Sequence, residues 1–171
     1  MSDETLVDAP RPEGFRRVSA ALAERRHPQA PRWLAETART SQEAADALGV
    51  QLGQIAKSVV FRRKDDAAAV LVIASGDRRV DVSKLKAHAG ALGRADADYV
   101  KARTGFSIGG VSPLGFAPEP GLDAPRLFID RELFRFATVW AAAGHPNGVF
   151  AMTPDELVAL TGAPVIDVAQ D

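Results

Sequence analysis

The chain contains no cysteine, which excludes a disulfide framework, thiol nucleophiles and metal centres built on thiolates. Histidine is almost as scarce. His27, His88 and His145 lie far apart and offer no zinc-ligand spacing, so no metal is expected. An excess of one charge is also lacking: 21 Lys and Arg face 22 Asp and Glu, for a net charge of -1. That balance argues against a broadly basic nucleic-acid coat or an acidic tail. No apolar run approaches the roughly 18 residues that would span a bilayer, so no membrane association is expected. Large aromatic side chains are few, and 31 of the 171 residues are alanine, so the core must be assembled largely from small groups. There is no phosphate loop ending in Lys-Ser/Thr, no dinucleotide fingerprint and no Gly-x-Ser-x-Gly elbow, hence no expected cofactor and little support for side-chain nucleophilic catalysis.

What is present fits one domain. Residues 1–12 are polar, with two prolines and no hydrophobic run, and read as a mobile lead-in to a domain spanning 13–171. This segment does not resemble a secretory signal, and a cytoplasmic protein is expected. Phe15, Val18 and Leu22 recur at helical spacing over about Glu13 to Arg26. Thr40-Ser-Gln-Glu43 forms a capping box ahead of Ala44, Ala45 and Leu48, with Gly49 as the stop. Ala56–Phe61 and Ala67–Ala74, separated by a charged turn, read as an antiparallel pair of strands. Asp81 caps a helix through Ala89 with Val82, Leu85 and Ala89 turned inward. Leu127–Ile129, Ala137–Ala141, Gly148–Met152 and Pro164–Val168 read as further strands. Thr153-Pro-Asp-Glu156 starts a helix that ends at Gly162. The order lacks regular βαβ alternation, so the expected fold class is α+β: one domain with a mixed, strongly curved, barrel-like sheet flanked by helices.

Three places carry chemical interest. Lys57 sits in a strand, either as a fixed point charge for a phosphate or carboxylate or as a strand-end lysine with its amine in water. Thr104–Gly115 mixes glycines with apolar residues. Within it, Gly109-Gly110-Val111-Ser112-Pro113 forms either a loop that brings backbone groups close to a ligand or a tight turn between packed elements. Ala141–Gly148 combines three alanines, a smooth wall, with His145 on a Gly-His-Pro turn. That histidine either contacts a ligand or water, or simply decorates a surface turn. Arg78, Arg79, Lys84, Lys86, Lys101 and Arg103 are interleaved with aspartates and read as a solvated mixed face.

In order and spacing these segments resemble the YbaK family, the free-standing relatives of the prolyl-tRNA synthetase editing domain. The residues that carry the likeness are Ala56–Phe61, Thr104-Gly105, the string from Gly109 to Gly115, Ala137-Thr138-Val139, Gly144, Gly148 and Pro154–Leu157. The resemblance implies hydrolysis of the ester joining a wrong amino acid to the 3′ end of a tRNA. It implies that Lys57 lies near the terminal adenosine and its phosphate, and that Gly109, Gly110, Val111, Ser112 and Pro113 hold the substrate. It also implies that the ribose hydroxyl helps to activate water. Lys57 and His145 are the expected catalytic residues, and Gly144 and Ala142 complete the expected substrate contacts. Members acting on cysteinyl-tRNA tend to carry Ser and Asp where this chain has Ala142 and Phe150. Ala141–Ala143 with Phe150 therefore suggest a small apolar pocket and a tolerant deacylase. The implied partners are the aminoacyl-tRNA acceptor end and a prolyl-tRNA synthetase or elongation factor, with no DNA. The missing catalytic side chains keep two other readings open, a non-catalytic module that binds aminoacyl-tRNA or aminoacyl-adenosine and a synthetase-associated subunit.

Overall fold

The computed structural model describes residues 10–171, so most of the expected lead-in, residues 1–9, lies outside the described residues. Pro12 is already engaged, its carbonyl accepting from the Arg16 N–H. Helix α1 (Glu13–Glu24) buries Phe15, Val18, Ala21 and Leu22 on one face. After the two-residue strand β1 (Arg32–Trp33), helix α2 (Ser41–Leu48) opens on the Thr40–Glu43 capping box and ends at Gly49 in the left-handed region.

Strands β2 (Ile55–Arg63) and β3 (Ala69–Ser75) pair antiparallel from Ala56–Ser75 to Arg62–Ala69, and every residue of β3 is buried. Helix α3 (Val82–Ala89) is capped by the Asp81 carboxylate. It buries Leu85 and Ala89, but Val82 is 47% exposed, contrary to the sequence expectation. Val82 shares the stripe of Leu85 and Ala89, but as the first helical residue it stands at the end of that stripe, open to solvent. Strand β4 (Leu92–Arg94) and helix α4 (Ala97–Thr104) had no counterpart in the sequence reading. A short strand and a helix burying only Val100 and Thr104 carry almost no periodic signal, although the Asp96 cap and the Gly105 stop do mark α4.

A long loop leads to β5 (Arg126–Asp130), followed by a 3₁₀ turn over Arg131–Arg135. The chain closes with β6 (Val139–Ala142), β7 (Gly148–Met152), α5 (Pro154–Thr161) and β8 (Val165–Ile166). The terminal strand is shorter than expected. The sheet order is β1-β7-β6-β2-β3-β5-β8, with β4 added beside β2. The β2–β6, β3–β5 and β5–β8 pairs are parallel and the rest antiparallel, so the sheet is mixed. Its ends, β1 and β8, do not pair, leaving it open and not closed as a barrel.

Two apolar layers pack on the central strands. On one side Ala56, Leu71, Ile73, Val139, Ala141 and Phe150 meet α1 and the loop residues Phe106, Val111 and Leu114. On the other, Val70, Val72 and Phe128 meet Leu85 and Ala89 of α3. No described helix is long and apolar enough to cross a membrane.

Candidate functional site

Strand β2 is paired continuously along one side and interrupted along the other. Opposite β3, β6 reaches only Ile55 and Ala56, and β4 reaches only Phe61 to Arg63. Between them Lys57, Ser58, Val59 and Val60 have no strand beside them, and all four line a cavity of about 330 Å³. Successive strand residues turn to opposite faces, so a cavity lined by four in a row sits on the strand's edge and not on one face. Its far walls are Gly109 and Val111 of the loop, Trp140, Ala141 and Ala142 of β6, Gly148 and Val149 of β7, and the start of α2 from Arg39 to Ser41.

Lys57 is half-buried, and burial pushes its ammonium below the ordinary lysine pKa. Arg79 adds to that, while Asp130 and Asp77 oppose it. Both carboxylates are committed elsewhere. Asp130 accepts from the Ser75 N–H at 3.1 Å and the Glu132 N–H at 2.9 Å. Asp77 takes the Arg135 guanidinium at 2.7 Å. The lysine's charge is therefore available to an anion entering from outside.

The glycine-rich loop is held from behind. The Thr104 hydroxyl donates to the Val100 carbonyl at 2.7 Å and accepts from the Phe106 N–H at 3.0 Å. Phe106, Ser112, Pro113 and Leu114 are buried, and the Ser112 hydroxyl accepts from the Leu114 N–H. Gly109 adopts φ +93° at the cavity wall, which a side chain would resist. Ile108, 59% exposed, stands on the rim.

Not all of the expected site residues meet. Lys57, Gly109, Val111 and Ala142 come together around the cavity. Gly110, Gly144 and His145 line a separate depression of about 200 Å³ with Arg17 and Lys101, while Ser112 and Pro113 line neither. The His145 ring stacks on Trp33 with centroids 4.9 Å apart, and its Nδ1 accepts from the Asn147 N–H at 3.0 Å. That bond selects the neutral tautomer with its proton on Nε2. Burial, and secondarily Arg39, lower its pKa.

The expected apolar wall is only half present. Ala141 and Ala142 line the cavity, but Ala143 and Phe150 are wholly buried in the core, where Phe150 meets the His27 ring edge-on. A turn at Gly144 and the alternation of β7 direct them inward. The residues missed in the sequence are Ser58, Arg39, Thr40 and Ser41. Thr40 and Ser41 read only as cap and helix start, and Ser58 was overshadowed by its neighbour. The Ser58 hydroxyl is buried with no hydrogen-bond partner among the described residues. Two of the scattered basic residues pair with acidic neighbours as a mixed face would: Lys84 contacts Asp167 and Asp171, and Arg78 contacts Asp77 and Glu132.

The family described as "Aminoacyl-tRNA editing domain" matches residues 35–160. The uncharacterized protein YwhH of Bacillus subtilis is 37% identical over 134 residues, which are 77% of this chain and 82% of that protein. A proline–tRNA ligase of Thermosipho africanus is 35% identical over 79 residues, 45% of this chain but only 14% of the ligase. Among solved structures, one described as a proposed trans-editing enzyme for prolyl tRNA synthetase superposes with a TM-score of 0.82 at 38% identity, over 95% of this chain and 100% of that one. The hypothetical protein APE2540 gives 0.81 at 30% identity, over 90% and 99% respectively.

Proposed function

Because this chain belongs to the aminoacyl-tRNA editing domain family, we propose that it is a trans-acting deacylase that hydrolyses the ester of mischarged tRNA. The substrate is tRNA(Pro) or a related tRNA bearing a small side chain. The observation that carries this reading is the cavity on the open edge of β2, which joins Lys57 to the Gly109–Val111 loop and to small residues of β6 and β7. The likeness to a solved structure described as a proposed trans-editing enzyme for prolyl tRNA synthetase supports action in trans.

Among the described residues the cavity lining includes no carboxylate and no imidazole, so on this reading positioning and electrostatics do the work. Water adds to the ester carbonyl, guided by the free ribose hydroxyl of the substrate. The tetrahedral oxyanion collapses, the bond to the ribose oxygen breaks, and that oxygen takes a proton as the amino acid leaves. Lys57 anchors the 3′-terminal nucleotide through its phosphate, and its charge favours developing negative charge nearby. Gly109 and Val111 bring backbone close to the aminoacyl end, while Ala142 and Gly148 limit its size. We place His145 in a supporting role, holding the loop through its turn and the Trp33 stack and not acting on the ester. With a net charge of -1, the chain grips the acceptor end, and a synthetase or elongation factor supplies the other tRNA contacts.

The test is purified protein against a panel of mischarged tRNAs, with Lys57→Ala alongside. Release of a small amino acid, lost in the variant, is the expected result. No hydrolysis above background for any pair overturns the proposal. Saturable binding with the ester left intact would select a binding module instead.

A further inference from the structure

The unpaired stretch of β2 presents a defined hydrogen-bonding pattern to the cavity. The Arg63 N–H donates to Ala68, on the β3 side, at 2.9 Å, and one residue later the Lys64 N–H donates to Ala91, on the β4 side, at 2.9 Å. The β2–β3 register runs without a bulge. Odd-numbered residues of β2 therefore turn their backbone groups to β3, and even-numbered residues turn theirs to the opposite side. The Ser75 N–H agrees with this: its partner position is Ala56, and it donates away from β2, to Asp130. Ser58 and Val60 thus direct backbone groups into the gap between β6 and β4, where they have no strand partner. The Ser58 hydroxyl, also without a partner among the described residues, belongs to the same stretch. The buried hydroxyl and the cavity-facing backbone groups, unpaired by any strand, together suit a ligand that completes them.

We propose that this edge reads the base of the substrate's 3′-terminal adenosine, the Ser58 carbonyl accepting from N6 and the Val60 N–H donating to N1. This rests on the deacylase reading of the same cavity. A carbonyl at one residue and an N–H two residues on lie in one plane along a strand edge, an acceptor beside a donor. Adenine's Watson–Crick edge is the planar complement, a donor beside an acceptor. At the aminoacyl end the ammonium and the ester carbonyl each match only half of this pattern, and the penultimate cytosine, whose N4 and N3 also set a donor beside an acceptor, is told apart by the experiment. An α-ammonium offers donors alone, which leaves the Val60 N–H unmet, and an ester carbonyl offers acceptors alone, which leaves the Ser58 carbonyl unmet. Lys57, between Ala56 and Ser58, then stands beside the base with its charge free for the adjoining phosphate.

The experiment uses acceptor-stem minihelices ending in adenosine, purine riboside (no N6 amine), 1-deazaadenosine (no N1) or 7-deazaadenosine. A fifth ends in adenosine but carries 3-deazacytidine as the penultimate nucleotide. Each is prepared as the aminoacyl ester for hydrolysis and as a stable 3′-amide for binding. Binding is expected to fall about tenfold or more for the purine and 1-deaza ends and to hold for the 7-deaza end. Equal binding of all the ends, a loss confined to the 7-deaza end, or a loss that follows the penultimate base overturns the edge reading. The amide series keeps the two claims separate. Dependence on N1 and N6 without ester hydrolysis removes the deacylase reading and leaves the edge reading standing, while hydrolysis without that dependence does the reverse.

Discussion

Gly110 lies against the His145 backbone so closely that a Cβ at position 110 would stand 2.8 Å from the His145 Cα. This contact holds the glycine-rich loop against the Gly144–Asn147 turn and separates the Lys57 cavity from the neighbouring depression. Gly110→Ala is expected to destabilise the fold by about 1–3 kcal/mol, because the added carbon meets backbone and not a movable side-chain tip. Urea unfolding measures the loss. Deacylation by the folded fraction should also fall, since Gly109 and Val111 move with their neighbour. Unchanged stability would show that the turn can retreat freely.

Lys57 sets stability against function. Its folded pKa is depressed, so between that value and the ordinary 10.5 the unfolded chain holds more protons than the folded one. Stability therefore rises with pH across this alkaline window, and at neutral pH the buried charge is a burden. Lys57→Met should flatten that rise and be at least as stable as the parent at pH 7, while losing deacylation by about 10²-fold or more. Unfolding titrations from pH 7 to 11 with single-turnover assays test both halves. A variant that is less stable at pH 7 yet fully active would contradict both.

The sequence revealed this fold best where a local rule needs no neighbour. The Thr40 and Thr153 capping boxes, the Gly49 and Gly162 stops and the limits of β7 all follow from short-range chemistry. The site was legible only in part, because it is created by an interruption. Nothing in Lys57–Val60 signals that β6 stops at Ala56 or that β4 begins at Phe61. Those limits are set by where β6 and β4, both distant in sequence, stop pairing with β2, which is a long-range fact. For the same reason Ala142 could be singled out as a wall residue, whereas Ala143 and Phe150 could not be recognised as core.

His145 gives a distinct pH signature. Its folded pKa is lowered from an ordinary value near 6.5, so on acidification the unfolded chain takes up the proton first. The stability linked to this ring is complete above 6.5 and is lost as the pH falls toward the folded value. Acidification also breaks the bond from the Asn147 N–H, because a protonated Nδ1 cannot accept. His145→Phe keeps the stack on Trp33 and should weaken the acid dependence of unfolding between pH 7 and 5. If the ring only supports the loop, the variant retains most of its deacylation at pH 7.5. A loss as large as that of Lys57→Met would instead assign His145 to the chemistry.

Ala142 tests the size limit of the cavity. Half-buried on β6, it lines the cavity beside Gly148 and Val149. Ala142→Val adds two methyl groups to the wall that faces the aminoacyl end in the proposed deacylase reading. The expected outcome is selective, with alanyl ester hydrolysis nearly preserved and hydrolysis of larger side chains reduced about tenfold or more. A uniform loss across amino acids would mean that position 142 bears on the nucleotide and not on the side chain.

Asp130 connects the fold to the site. It is fully buried, and its two carboxylate oxygens accept separately, one from the Ser75 N–H ending β3 and the other from the Glu132 N–H opening the 3₁₀ turn. Removing the carboxylate leaves a buried N–H without a partner, a cost of about 1–3 kcal/mol. Asp130 also raises the Lys57 pKa against the effect of burial, so its removal depresses the lysine further. Asp130→Ala should therefore lower both the unfolding midpoint and the alkaline pH at which Lys57-dependent substrate binding fades. Asp130→Asn, which keeps an acceptor but not the charge, separates the two effects. It should recover part of the stability and none of the pH shift. Full recovery of both would show that the hydrogen bonds, and not the charge, connect this residue to Lys57.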